Sequence, residues 1–118
     1  MKTTQKQFEL FKKECRKWAN MFELNGWRFD FLLDDLGKHQ AEANVNYLGC
    51  VATIKLDIRL TKSKEDTWTN LVKLNAKHEI IHILLGNLAT LGNSRFITSD
   101  EIVKAEEELV RKLENIIT

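Results

Sequence analysis

Residues 65–85 contain neither glycine nor proline, the two residue types that most often interrupt a helix. Ser63 stands three positions before Asp66, the spacing at which a hydroxyl and a carboxylate cap a helix N-terminus. The sequence therefore predicts one long helix over about residues 65–90. The remaining elements have to be arranged around this helix.

The first part of the chain predicts an amphipathic helix from about residue 4 to residue 24. Its apolar side chains recur at steps of three and four, which places them on one helix face. Asn25 and Gly26 end the helix, because glycine accepts the left-handed conformation found at helix C-termini. The apolar face consists of Phe8, Phe11, Cys15, Trp18 and Phe22.

Between the two helices, three segments alternate apolar and polar side chains with the period of half-buried strands. They cover residues 27–33, 41–47 and 50–60, with short turns at 35–38 and 48–49. Consecutive strands joined by short turns predict an antiparallel meander with one apolar face.

A last helix is predicted after Thr98, which stands three positions before Glu101 in a second capping pattern. The predicted fold class is α+β, with an N-terminal helix, a three-stranded mostly antiparallel sheet, the long helix and a C-terminal helix. At 118 residues the chain has the length of a single domain, residues 1–118. One side of the last helix is apolar and comprises Ile102, Val103, Leu109, Val110, Leu113, Ile116 and Ile117.

Composition limits the kind of partner. The 18 basic residues balance the 17 acidic ones, so the overall field favours neither nucleic acid nor an anionic membrane. The basic cluster at 12–17 is interpreted as a solvated helix face, with phosphate contact as the weaker alternative. The charged N-terminus lacks a secretory apolar stretch, and no apolar run reaches the roughly 20 residues that span a bilayer. With two cysteines, Cys15 and Cys50, interpreted as core residues, the sequence predicts a cytoplasmic protein.

His78 and His82 stand four residues apart in the long helix, so their imidazoles lie one turn apart and can chelate one ion. A catalytic zinc site holds three protein ligands and leaves a fourth position for water. Glu79 can reach that water and take its proton. Zinc is the default ion, although such ligands also accept manganese, iron or cobalt.

The alternative is that the two histidines are ordinary polar helix residues. They lie, however, on an apolar stripe that should face the interior, where an unpaired imidazole is costly. A bound metal would remove that cost. The stripe contains Leu71, Leu74, Ile81 and Leu85.

Glu106 is the predicted third ligand. It lies four residues after Ile102 and three before Leu109, at the centre of the last helix's apolar face. Buried glutamates are rare unless they are paired or bound to metal, and a helical hairpin can return this one to the histidines. Glu107 is the alternative, about 100° further round the helix, and Glu108 should point to solvent. A further alternative is that Glu106 and Glu107 are both simply exposed.

At these residues the chain resembles the zincin metallopeptidases, in particular the gluzincin branch, where a glutamate from a following helix joins the two HExxH histidines. More narrowly, it resembles a family of small single-domain metallopeptidases of phages and prophages. The likeness covers most of the chain from Trp27 onward. It implies a minimal zincin-like fold, zinc bound by His78, His82 and a glutamate, and Glu79 as catalytic base. The motifs that carry it are residues 51–56, 78–86, 105–107 and 110–114.

Two principal functions and one weaker alternative are predicted. The first is a zinc-dependent peptidase, in which an extended peptide or protein substrate pairs with an exposed strand at 50–60. The second is a non-catalytic zinc-containing binding or regulatory protein of a phage or prophage that docks to a host or phage protein. A nucleic-acid-binding module is a third and weaker prediction.

Three residues are candidates for polarising the substrate carbonyl of a peptidase: His39, Tyr47 and Arg95. Each also has a simpler interpretation. His39 would be a solvated turn residue, Tyr47 an aromatic at the edge of the core, and Arg95 a solvated loop residue. None of them is assigned a catalytic role from the sequence.

Overall fold

A computed structural model describes residues 2–47, 49–59, 65–92, 98–114 and 116, with the backbone alone at 65–67, 87, 89, 91 and 92. The elements confirm the predicted α+β class and the predicted order of helices and strands. They are α1 (Gln5–Met21), β1 (Arg28–Asp34), β2 (Ala41–Asn46), β3 (Val51–Asp57), α2 (Glu65–Gly92) and α3 (Ser99–Glu114).

β3 is the central strand of the sheet, whose order is β1-β3-β2. β2 pairs with β3 antiparallel, whereas β1 pairs with β3 in parallel, with Arg28 opposite Val51. The predicted meander is therefore wrong for β1, which joins the far side of β3. The inward side chains of this central strand are the most completely buried of the sheet. These side chains are Ala52, Ile54 and Leu56, each 0% exposed.

The apolar face predicted for α1 is confirmed. Phe11 and Cys15 are buried, and Phe11 meets Phe31 of β1 edge to face, with ring centroids 6.5 Å apart. The helix packs along α2 as well as on the sheet, so it closes one side of the core. Thr4 caps its N-terminus by accepting a hydrogen bond from the Gln7 amide.

α2 forms the other wall of the core, but with a different side from the one predicted. Val72, Ala76 and Ile80 are fully buried, whereas Leu74 and Leu85 are 66% and 44% exposed. The predicted apolar stripe therefore faces the interior only in part: Leu71 and Ile81 are partly buried against the core, whereas Leu74 and Leu85 are not. Among the described residues, no helix is both long and apolar enough to cross a membrane.

α3 begins as predicted, with the Thr98 hydroxyl accepting a hydrogen bond from the Glu101 amide. Its packed side is centred on Ala105, the one residue of the helix that is described as buried. Val103 and Val110 are 54% and 41% exposed, so only part of the predicted apolar face packs on the domain. The cap predicted at Ser63 lies outside the described residues.

Candidate metal centre

A groove of about 630 Å³ lies between the edge strand β2 and helix α2. The sequence contains three histidines, and all three line this groove. Small residues on both walls leave the groove open. These residues are Ala41, Ala43, Val45 and Gly86. The polar lining consists of His39, Glu42, Tyr47, His78, Glu79, His82 and Thr90.

Two contacts fix β2 against α2, one at each end of the groove. At the first end, the Asn75 side-chain amide donates a hydrogen bond to Gln40 Oε1 at 2.9 Å. At the other end, the Tyr47 hydroxyl packs against the α carbon of Gly86, where any Cβ would overlap it. The HExxH residues lie between these two contacts along α2, so the strand is held at a defined place beside them.

The imidazoles of His78 and His82 meet in the groove. Their Nε2 atoms are 3.0 Å apart, and the ring centroids are 4.6 Å apart with an interplanar angle of 84°. The four-residue spacing of the histidines correctly predicted that the two rings share one helix face. The apolar stripe was wrong in placing them in the interior, because both histidines are exposed to the groove.

Glu79 is the buried member of the motif, with 6% of its surface exposed. Burial raises the pKa of its carboxyl above the ordinary value, while His78 and His82 pull the pKa back down. Smaller opposing effects on this pKa come from Glu42, which raises it, and His39, which lowers it. A carboxylate with a raised pKa accepts a proton more readily, as a general base must.

The histidine pair fits a metal ion. A tetrahedral zinc ion with Zn–N distances of about 2.0–2.1 Å holds two ligand nitrogens about 3.3 Å apart. The observed separation of 3.0 Å is close to that value. If both imidazoles are neutral, this short contact is a hydrogen bond in which one Nε2–H donates to the lone pair of the other Nε2. A cation between the two nitrogens would replace that proton.

The structure does not bring Glu106 to the histidines. Glu106 and Glu107 are both exposed on α3, and the buried neighbour is Ala105. Among the described residues, no group of three or more His, Cys, Asp or Glu side chains is arranged to hold a metal ion. The expectation of a buried Glu106 is therefore wrong. Glu108 is exposed, as expected, and it also lines a second cavity between α2 and α3.

Two of the three candidates for polarising a carbonyl lie in the groove. His39 follows a turn held by Asp57, whose buried carboxylate accepts a hydrogen bond from the Leu36 amide at 3.1 Å. Tyr47 packs edge to face on Trp27, and burial raises the pKa of its hydroxyl, so the phenol stays protonated at neutral pH. Arg95, the third candidate, lies outside the described residues.

Sequence reasoning missed the residues that shape the groove. Gly86 gave one sequence signal of the groove: glycine is unfavourable within a predicted helix, so its presence there indicates that a neighbouring side chain packs closely against the helix. Gln40 and Asn75 gave none, since nothing local relates a strand start to a helix 35 residues away. Glu42 also lines the groove, although the strand alternation places it with the outward side chains.

No family model, curated protein or solved structure matches this chain. The zincin resemblance therefore depends on the motif residues alone.

Proposed function

We propose that the protein is a zinc-dependent metallopeptidase that cleaves an extended peptide in the groove between β2 and α2. One observation carries the proposal: the paired Nε2 atoms of His78 and His82 lie beside a buried carboxylate, Glu79, and face the edge strand. This arrangement supports a site in which a metal-binding pair, a base and a peptide-binding edge would share one open cleft.

The peptide-binding strand in this proposal is β2 rather than the predicted strand at 50–60. β3 pairs on both sides, so it has no edge to offer. β2 pairs only with β3 within the described sheet, and its other edge borders the groove. A peptide that adds to this edge gains main-chain hydrogen bonds and runs past the histidines.

His78 and His82 would hold the zinc ion through their Nε2 atoms. When bound, zinc lowers the pKa of its water towards about 7 and polarises a carbonyl oxygen. Glu79 would take the proton of the attacking water and deliver it to the leaving amine. Tyr47 or His39 would donate a hydrogen bond to the oxygen of the scissile carbonyl as negative charge develops there.

The third ligand is not in place among the described residues. Glu106, or Glu107 as the alternative, would complete the site only if α3 shifted towards the histidines on zinc binding. The test is zinc content per chain after native purification, for wild type, His78→Ala, Glu106→Gln and Glu107→Gln. We expect about one zinc in wild type, as in other three-ligand sites, and loss in His78→Ala and in one glutamate variant.

Glu114→Gln, at an exposed position on the same helix, is the matched control and should keep its zinc. Absence of zinc from wild type, even after zinc is added back, would overturn the metallopeptidase proposal. The proposed setting is the cytoplasm of a host cell that carries the phage or prophage.

A second function is supported by a separate observation. Leu74 and Leu85 are exposed on α2 on either side of the histidine pair, where both are accessible to a partner protein. In this alternative the protein binds a host or phage protein without cleaving it. Binding should then survive Glu79→Gln and be lost in Leu74→Ser, as measured in a pull-down with each variant.

A further inference from the structure

The sheet has a second edge, on β1, at the opposite side from the groove. Within the described residues, β1 pairs only with β3. Every side chain of β1 is half-buried or exposed, and Leu32 and Leu33 are 50% and 37% exposed. The strand contains no proline and no lysine, the residues that commonly keep an edge strand from pairing with another chain. This edge can therefore accept a further strand.

The backbone of β1 determines which residues can bond to such a strand. In an extended strand, the N–H and C=O groups of alternate residues point to opposite edges. The Arg28 amide donates to the Cys50 carbonyl at 2.9 Å, and the Asp34 carbonyl accepts from the Ile58 amide at 3.0 Å. The even-numbered residues of β1 therefore bond to β3. The residues whose amides and carbonyls point to the open edge are Phe29, Phe31 and Leu33.

A second copy of the same strand fits this edge. Two identical strands related by a two-fold axis pair antiparallel. If the axis passes through Phe31, each Phe31 lies opposite the other, and Phe29 lies opposite Leu33 of the second copy. These residues have their backbone groups at the open edge, so each pair can exchange both of its hydrogen bonds. The same register places Arg28 opposite Asp34 of the second copy, at both ends of the paired segment.

Charge distinguishes this register from its neighbours. A shift of two residues in either direction keeps the same backbone pattern. One shift places Asp30 opposite Asp30 of the second copy, and the other places Asp30 opposite Asp34. Like charges directly opposite each other destabilise a strand pair, whereas opposite charges stabilise it. Of these three registers, the one centred on Phe31 alone pairs Arg28 with an acidic residue and leaves no acidic pair.

The same register covers the exposed apolar side chains of β1. Leu32 lies diagonally across from Leu32 of the second copy, within reach of a long side chain. On the other face of the sheet, Leu33 lies opposite the half-buried Phe29 of the second copy. Both exposed leucines of the strand therefore gain an apolar neighbour.

We propose that the protein forms a symmetric dimer in which β1 of one copy pairs antiparallel with β1 of a second copy. The two sheets then form one continuous sheet with β2 at both outer edges. Because the groove lies along β2, both grooves stay open in the dimer. The inference does not depend on what the groove binds.

The first experiment measures mass by sedimentation equilibrium over a range of protein concentrations. Wild type should change from the mass of one chain to that of two as the concentration rises. Arg28→Asp and Asp34→Arg each place like charges opposite each other at both ends of the segment. Each variant alone should therefore raise the Kd of the dimer by about tenfold or more.

A mixture of these two variants tests the register. When one copy carries Arg28→Asp and the other carries Asp34→Arg, opposite charges face each other again at both ends. The equimolar mixture should therefore dimerise with about the Kd of wild type. A loss of folding in either variant would not produce this recovery.

Leu33→Pro tests the backbone pairing. It removes an amide that points to the open edge and leaves the bonds to β3 intact, and proline is tolerated at such edge positions. The variant should stay folded by circular dichroism and be monomeric at every concentration. Glu42→Arg reverses an exposed charge on β2 and is the matched control, which should keep the wild-type Kd.

Three outcomes would overturn the dimer. The first is a wild type that stays monomeric at every concentration, which would leave the β1 edge to a strand of a different protein. The second is a dimer that survives both Arg28→Asp and Leu33→Pro, because its interface would then lie elsewhere. The third is a dimer lost in Glu42→Arg alone, which would place the interface at β2. Failure of the mixed variants to dimerise would overturn the register centred on Phe31.

Discussion

The hydroxyl of Tyr47 occupies the place that a side chain at position 86 would take, and α2 has Gly86 there. Glycine within a helix costs about 1 kcal/mol relative to alanine, so part of the helix stability is given up for this contact. Together with the hydrogen bond between Gln40 and Asn75, the contact fixes β2 on both sides of the histidine pair.

The contact predicts that Gly86→Ala is destabilising although alanine is the better helix former. We expect the free energy of unfolding to fall by about 1–3 kcal/mol, the usual cost of overpacking, as measured by urea unfolding. In a Tyr47→Ala background the ring is absent, so the same substitution should raise stability by about 1 kcal/mol. Equal destabilisation in both backgrounds would contradict the contact.

The burial of the Glu79 carboxyl predicts that the stability of the metal-free protein depends on pH. Its pKa is raised by burial above the ordinary value of 4.5, so the folded chain binds this proton more tightly than the unfolded chain does. The stabilisation is present below pH 4.5 and is lost as the pH rises through the folded-state pKa. At pH 7 the buried carboxylate is therefore destabilising.

Glu79→Gln should accordingly raise the Tm of chelator-treated protein by a few degrees at pH 7 and by less at pH 4. Thermal unfolding at both pH values measures the difference. Glu107→Gln, at an exposed position, is the control and should show no such dependence. The same gain at both pH values would show that ionisation of Glu79 is not the cause.

The position of Tyr47 in the groove predicts that removal of its hydroxyl lowers kcat without a loss of bound zinc. Tyr47→Phe keeps the ring contact with Trp27 and removes only the hydroxyl hydrogen-bond donor. If this donor acts on the carbonyl oxygen, kcat should fall about 100-fold, with KM and zinc content unchanged. His39→Ala, measured in parallel, distinguishes the two groove residues, because the larger loss of kcat identifies the donor.

The two cysteines should differ in reactivity. Cys15 is 1% exposed, and burial raises the pKa of its thiol, so it should not react in the native protein. Cys50 is half-buried at the turn before β3 and should react. Titration with a thiol reagent should therefore find one thiol in the native state and two in denaturant. In Cys50→Ser, the native count should fall to zero.

Elements governed by local periodicity were predictable from the sequence. The face of α1 and the inward residues of β3 follow steps of 3.6 and 2, and the structure confirms both, with Ile54 and Leu56 fully buried. The spacing of His78 and His82 likewise fixed the meeting of their rings. In each case the prediction depended on geometry within one element.

The orientation of α2 was not predictable in this way. Apolar residues lie on most sides of the helix, so the pattern does not distinguish the side that faces the core. The packed side is the one that carries Glu79, and Leu74 is left exposed. The choice depends on where α1 and the sheet lie, which is information that the helix sequence does not contain.

The side of α3 that packs on the domain was likewise not predictable from its own sequence. Its apolar residues cover a wide arc, and Glu106 lies at the centre of that arc in sequence. The packed side is instead centred on Ala105, one position away, and Val103 and Val110 remain exposed. The spread of apolar side chains around the helix therefore does not by itself identify the packed face.

The central position of β3 has a consequence for synthesis of the chain on the ribosome. β3 is translated last of the three strands, and within the described sheet both other strands pair with it alone. β1 and β2 therefore have no strand partner until residue 57 has emerged. The sheet should form late and in one step rather than strand by strand, and factors that shield nascent apolar segments should raise the yield of folded protein.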